Sequence, residues 1–254
     1  MQAVFITGAS SGIGAELARH YARQGATLGL VARRAEVLDE LRNSLPDAEK
    51  HQVYALDVTD HAALTRAAQD FISRTGGVQI VIANAGISRG TLTEHSEDLA
   101  VFEQVIATNL TATAVTFAPF IASMRASGQP CRLVGIGSVA GIRGLPGAEA
   151  YSASKAAVIS YCESLRLELR ASCIRVVTIC PGYIDTPMTR VNTYAMPFLM
   201  PVEKFAVRAI GAIRNGDSYR IIPWQMGWVA KLLRLLPNWA FDRAFSRAPR
   251  KQRE

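Results

Sequence analysis

Seven short apolar or β-branched runs punctuate the chain: AVFIT, TLGLVA, HQVYALDV, VQIVIAN, CRLVGIG, CIRVVTIC and YRII. Their composition suits strands buried on both faces rather than half-exposed ones. Between them lie longer segments in which apolar residues recur every three or four positions, at 12–24, 35–45, 61–75, 99–126 and 151–171. That period predicts helices. Strand and helix alternate throughout, which predicts right-handed βαβ units and an α/β, doubly wound Rossmann-type parallel sheet of about seven strands. In such sheets ligands bind beyond the carboxyl ends of the strands, so the turns after each strand are where chemistry is sought.

Composition narrows the picture without redirecting it. The 254 residues, 49% hydrophobic and 19% charged, are those of an ordinary globular protein within reach of a single core. The expected layout is one domain over residues 1–223, with a substrate lid at about 187–201. Residues 224–254 are read as a helical, basic C-terminal extension of that domain. Cys131, Cys162, Cys173 and Cys180 show no CxxC spacing and the four histidines no i, i+4 pairing, so no metal and no disulfide are expected. The start, MQAVFITGASSGIG, reaches a glycine turn by residue 8 without a basic region, and no run approaches 18 uninterrupted apolar residues. Neither a signal peptide nor a spanning helix is expected, and the location is read as cytoplasmic or peripheral at a membrane. The formal charge of +7 is uneven: residues 225–254 hold seven of the 28 basic and two of the 21 acidic side chains, leaving the body near neutral. A nucleic-acid partner would need a basic face on the body, and none is visible.

The first strand-to-helix turn reads TGASSGIG. Gly8, Gly12 and Gly14 permit a tight turn and a close backbone approach, and the helix N-terminus offers N–H groups to a pyrophosphate. Ser10 and Ser11 add hydroxyl donors, and Ser11 also suits an N-cap. Further along, YSASK places Tyr151 four residues before Lys155, on one face of a predicted helix.

The G-x-x-x-G-x-G spacing is similar to the cofactor turn of the short-chain dehydrogenase/reductase family. The other motifs of that family follow in order: Asp57-Val58, Asn84-Ala85-Gly86, Asn109, Ser138, Tyr151 with Lys155, and Pro181-Gly182. The resemblance covers residues 4 to about 187 and implies a nicotinamide-dependent oxidoreductase. Its implied cofactor set adds Ile13, Ile184 and Thr186 to the glycine-turn residues and these motifs. Asp57 would bind the adenine edge with the Val58 backbone, Lys155 the nicotinamide ribose and Thr186 the carboxamide. Asn109 would anchor a water on the path of the proton. The Tyr-x-x-x-Lys spacing argues against enoyl reductases, and the length against extended epimerases.

Which nicotinamide is used is read from LVARRAEVL after the second strand. No acid stands there to hold a ribose 2′-hydroxyl, while Arg33 and Arg34 suit a 2′-phosphate, so NADP(H) is expected. A hydride moved to or from a carbinol carbon requires a proton on its oxygen, and a free phenol titrates near 10, too high for efficient exchange at neutral pH. The Lys155 ammonium is expected to lower the Tyr151 pKa, and Ser138 to hold the substrate oxygen. Asn109 interrupts an apolar helical pattern, which asks for a purpose.

Substrate contacts are expected from 88–92, 142–148 and the segment after Thr186, where Met188, Tyr194, Met196, Phe198, Leu199 and Met200 suggest a lid with an apolar inner surface. A bulky apolar ketone or alcohol is favoured. From Trp224 onward, Lys231 and Arg234 form a narrow polar stripe on an otherwise apolar helix, which wants a partner surface: the body, a second subunit or a membrane interface. The two long helices at 99–126 and 151–171 match those that pair subunits in the family, so a homodimer or homotetramer is expected. Two other readings remain open on sequence: a cofactor-sensing regulatory protein, and an epimerase or dehydratase using the same tyrosine.

Overall fold

The computed structural model describes residues 2–246, 248, 250 and 251. The remaining extension residues, 247, 249 and 252–254, lie outside the described residues. Along the chain run β1 (Ala3–Thr7), α1 (Gly12–Arg23), β2 (Thr27–Ala32), α2 (Ala35–Asn43), β3 (Gln52–Ala55), α3 (His61–Thr75), β4 (Ile80–Ala83) and α4 (Asp98–Ile106). A π-helical turn, Ala107–Thr111, joins α4 to α5 (Ala112–Ser127). Then follow β5 (Cys131–Ile136), α6 (Glu149–Glu168), β6 (Ile174–Pro181), β7 (Ile184–Asp185), α7 (Pro187–Arg190), β8 (Met200–Pro201), α8 (Val202–Asn215), β9 (Tyr219–Ile222), α9 (Trp224–Leu235) and α10 (Asn238–Phe245).

Seven strands form one parallel sheet in the order β3-β2-β1-β4-β5-β6-β9, the α/β architecture expected from the alternation. Its order reverses between β1 and β4. Every residue of β1 and β4 is buried, because helices cover both faces and leave no side of these strands for polar residues. On one face α1, α2 and α8 pack over Leu28, Leu30 and Ile82; on the other α3, α5 and α6 pack over Phe5, Val81 and Leu133. Phe5 anchors the second face, its ring 5.0 Å from Phe120 and 5.6 Å from Phe71.

Several local details differ from the sequence reading. Ser11 holds the N-cap position of α1, but its side chain makes no capping hydrogen bond. The cap of α3 is Asp60, which accepts from the Ala63 N–H, and not Thr59, whose own N–H and hydroxyl are bound by Asp57. The helical stretch Asp98–Ser127 is long and apolar enough to cross a membrane by length and composition. Threonines and Asn109 break its apolar run, which is why a search for uninterrupted runs passes over it. It packs on β4, α3 and α6, and 39% of its most apolar window is buried.

The extension is seated on the body. Met226 and Ala230 of α9 are buried, and a Cβ on Gly182 would meet Met226 Cγ at 2.8 Å. Arg143 donates to the carbonyls of Leu233 and Leu236 and stacks 4.1 Å over the Phe241 ring. Arg234 donates back to the Ile142 carbonyl. The expectation that the chain is loosely held after about Phe241 is therefore corrected: Phe241 is buried and stacks on Phe245 at 4.4 Å.

Candidate active site

At the carboxyl edge of the sheet, where the strand order reverses, lies a cavity of about 340 Å³. The turns after β1, β2, β3, β4, β5 and β6 all reach it. It is lined by every residue of the expected catalytic and cofactor set except Gly14 and Asn109, which stand directly behind its wall.

The turn after β1 is built for close approach. Gly8 and Gly12 adopt φ +68° and +53°, values that favour glycine, and a Cβ on Gly14 would lie 2.3 Å from the Gly8 carbonyl oxygen. Asn84 Nδ2 donates to the carbonyls of Thr7 and Gly8, while Thr7 Oγ1 accepts from the N–H groups of Asn84 and Ala85. The amide of Asn84 is thus spent on tying two turns together. Around this cradle the backbone N–H groups at the start of α1 face the cavity, with Ser10, Ser11 and Ile13 on its rim. A nicotinamide dinucleotide fits it: glycines leave open the space that Cβ atoms would fill, and the helix N-terminus suits the pyrophosphate.

Arg33 and Arg34 are exposed at the far end, where Arg34 Nη2 donates to Ser10 Oγ at 3.1 Å and Arg33 stands 3.7 Å from Asp57. Burial works to raise the Asp57 carboxyl, but the Thr59 N–H, the Thr59 hydroxyl and Arg33 outweigh it and hold the pKa below its usual value. Val58 lies beside it, buried.

At the near end α6 presents Tyr151 and Lys155 one turn apart. Their relation differs from the expectation. Lys155 Nζ donates to the Ile136 carbonyl at 2.8 Å and stands 5.9 Å from the Tyr151 ring centroid. Burial pushes the Lys155 ammonium down to about 8 and pushes the Tyr151 phenol up, against a hydrogen bond from Ser138 that lowers it. In this state burial, not the lysine, governs the phenol. Ser138 does double duty: its hydroxyl also accepts from the Ala140 N–H, the turn-forming role such a serine would have anyway.

Asn109 occupies the π-helical turn, buried, with Oδ1 accepting from the Ile87 N–H and Nδ2 donating to the Ile87 carbonyl and Ser154 Oγ. A Cβ on Gly86 would lie 3.2 Å from Asn109 Oδ1 and 3.5 Å from Lys155 Nζ, so glycine keeps the passage between the two polar groups open. The helix accommodates the asparagine by widening locally, a feature common at functional sites. Pro181 and Gly182 turn the chain after β6; Ile184 is buried, and Thr186 with Thr189 forms a capping box that starts α7.

A second chamber, of about 250 Å³, shares Ser138, Tyr151, Gly182, Met188 and Thr189 with the first. The segment 187–201 contributes Met188, Tyr194 and Ala195 to it. Its base is fastened by the β7 to β8 pairing and by Arg190 on Asp185 at 2.7 Å. Phe198 and Leu199 are about half exposed, at 50% and 45%, and line neither cavity, which corrects the expected all-apolar inner surface. Sequence reasoning also missed Gln104 and Thr108 on the cofactor cavity, and Phe245, Ala248 and Lys251 on the chamber.

The geometry has parallels in known proteins. A family model for short chain dehydrogenases matches residues 2–196. An uncharacterized oxidoreductase of Myxococcus xanthus is 37% identical over 246 residues, 95% of each chain. A cis-4-hydroxycyclohexanecarboxylate dehydrogenase of Sinomonas cyclohexanicum is 36% identical over 72% of this chain and 73% of its own. The crystal structure of a 3-ketoacyl-(acyl-carrier-protein) reductase from Brucella melitensis complexed with NADH superimposes with a TM-score of 0.78 at 25% identity, covering 87% of this chain and 96% of the other. With its parallel seven-stranded sheet, its glycine cradle and this match over most of its length, the chain belongs to the short-chain dehydrogenase/reductase family of oxidoreductases.

Proposed function

We propose that the protein is an NADP(H)-dependent oxidoreductase interconverting a carbonyl and an alcohol on a substrate with a largely apolar body, with Tyr151 as general acid/base. The observation that carries this reading is the meeting of two cavities at Tyr151 and Ser138, one suited to a dinucleotide and one walled mainly by apolar and aromatic side chains. Similarity to a hydroxycyclohexanecarboxylate dehydrogenase and to an NADH-complexed ketoacyl reductase supports it. When bound, the nicotinamide cofactor supplies or takes up the hydride. The protein's own part is acid/base work and positioning. Tyr151 gives its phenolic proton to the developing alkoxide during reduction, or accepts it during oxidation, and the Ser138 hydroxyl holds the same oxygen. Lys155 binds the ribose hydroxyls, and Gly86 leaves the gap through which the proton is relayed past Asn109. Consumption of reduced nicotinamide with a panel of hydrophobic ketones tests the reading; no turnover with either cofactor sinks it.

Cofactor choice rests on Arg33 and Arg34, exposed at the cavity with no carboxylate closing the end of β2. Charge-assisted hydrogen bonds contribute about 1.5–3 kcal/mol each, so Arg33→Ala with Arg34→Ala lowers the kcat/KM ratio of NADPH over NADH by roughly 10–100-fold. A wild type that already prefers NADH overturns the assignment.

The domain is taken as residues 1–223 with its lid at 187–201, and 224–254 as its extension. The half-covered Asp98–Ser127 helix and α6 suit pairing of subunits into a homodimer or homotetramer. The extension has a different partner. Trp224, Trp228, Leu232, Leu235 and Trp239 recur along its outer face and are 62–81% exposed, in a segment rich in arginine and lysine. Indole and leucine beside basic residues suit the surface of an anionic bilayer, making this a cytoplasmic protein peripheral at the membrane. Trp228→Ser, Leu232→Ser and Leu235→Ser together, all at exposed positions, should release the full chain from vesicles containing phosphatidylglycerol in co-sedimentation. Equal partitioning of variant and wild type removes the idea.

A further inference from the structure

The chamber beyond Tyr151 is walled partly by the last described residues of the chain, and one of them carries a charge. Lys251 Nζ donates to Ser88 Oγ at 2.5 Å and stands 5.8 Å from the Tyr151 ring centroid. Its ammonium therefore lies on the same side of the chamber as the reacting phenol. Two features seat it there. Phe245 and Ala248 continue the wall from α10, and Gly147, at φ +67°, passes so near that a Cβ on it would lie 2.8 Å from Arg250 Cβ. Ser88, on the loop after β4, fixes where the ammonium is held.

The surroundings give that charge its meaning. Among the described residues lining the chamber Lys251 is the one basic side chain, and no carboxylate lines it; the walls are largely Leu145, Pro146, Tyr183, Tyr194 and Met188. A cation within low-polarity walls interacts with an anion more strongly than one in bulk water does, because less solvent screens the pair. A neutral substrate would leave this charge among apolar groups without gain, whereas an anionic one converts it into binding energy.

We propose that Lys251 determines specificity: it selects substrates whose apolar body carries a carboxylate or sulfonate within a few bonds of the reacting carbonyl or carbinol carbon. The inference rests on Tyr151 being the reacting group, and it sharpens the substrate from a bulky apolar ketone to an amphipathic oxo or hydroxy acid. The C-terminal segment thereby becomes part of the substrate site.

The test compares paired probes that differ only in charge, on the full chain. Calorimetric titration with 4-phenylbutanoate and 4-phenylbutanamide, in the presence of NADP, should find the acid bound at least tenfold tighter by the wild type. Lys251→Met removes that advantage and leaves the amide unaffected, while Lys251→Arg keeps most of it. In turnover, 4-oxo-4-phenylbutanoate should lose ten- to a hundredfold in kcat/KM in Lys251→Met, chiefly through KM, and its methyl ester should lose little. Equal binding of acid and amide by the wild type overturns the inference. So does an equal loss on both probes in Lys251→Met, which would make the lysine a structural strap. Binding needs no hydride transfer, so a wild type that discriminates the acid yet reduces no ketone keeps the anion site and removes the oxidoreductase reading.

Discussion

Tyr151→Phe lowers kcat for carbonyl reduction by roughly 10²–10⁴, the range for loss of a positioned general acid, and leaves cofactor affinity nearly unchanged. The ring stays, so its packing and the wall it gives to both cavities stay; only the hydroxyl that meets Ser138 is lost. The sign of the pH dependence follows from the state of the phenol. Burial raises the Tyr151 pKa, so at neutral pH the phenol is protonated and ready to donate. Reduction should therefore hold its rate at neutral pH and fall as pH rises through the Tyr151 pKa, while oxidation, which needs the phenolate, gains over the same interval. Lys155 adds a second step. Its ammonium, brought down to about 8 by burial, is lost above that pH in the cofactor-free protein, and with it the cationic neighbour that favours the phenolate. Steady-state rates in both directions across pH check this. A phenylalanine variant with intact turnover would overturn the role of Tyr151, and an unchanged pH profile in that variant would place the titration elsewhere.

What could be read from sequence divides along a physical line. The sheet was legible because strands covered on both faces have no polar residues to confuse the pattern, and the seven runs became the seven sheet strands. The glycine turn was legible because its cause is local: only glycine fits at φ +68° or within contact of a neighbouring carbonyl. Tyr151 and Lys155 were placed correctly on one helix face, yet spacing cannot say which carbonyl claims the ammonium, and Ile136, 19 residues upstream, does. Asn109 stood out as a misfit in an apolar helix, but the π-helical widening that houses it depends on Ile87 and Ser154, brought in by the fold. Lys251 gave no signal at all. Its contact with Ser88 spans 163 residues and obeys no periodicity, and a basic tail in sequence reads as a solvated one. The same holds for Arg143, whose bonds to Leu233 and Leu236 seat the extension.

Gly14→Ala and Gly211→Ala are the same chemical change with opposite expected outcomes. At Gly14 the added methyl would lie 2.3 Å from the Gly8 carbonyl oxygen and 2.6 Å from Asn84 Nδ2. Neither can withdraw cheaply: the Gly8 carbonyl is backbone in a left-handed turn, and Asn84 Nδ2 bonds that carbonyl and the one at Thr7. The helix must move off the strand or the turn must open. Overpacking of this kind costs about 3 kcal/mol, near the upper end for one added methyl group, which in a chain of this size lowers Tm by roughly 6–12 °C. Because the displaced groups form the cradle itself, cofactor affinity should fall at least as far as stability, and saturating cofactor should rescue the variant less than the wild type. Gly211 lies inside α8 with no heavy atom within 4 Å of the added methyl. There alanine only restricts the unfolded chain and favours the helix, raising stability by about 0.5–1 kcal/mol. Thermal unfolding of both variants, with and without cofactor, separates the two effects. If Gly14→Ala melts with the wild type and binds cofactor as well, the close packing of the first helix on the glycine turn is not what holds the cradle in shape.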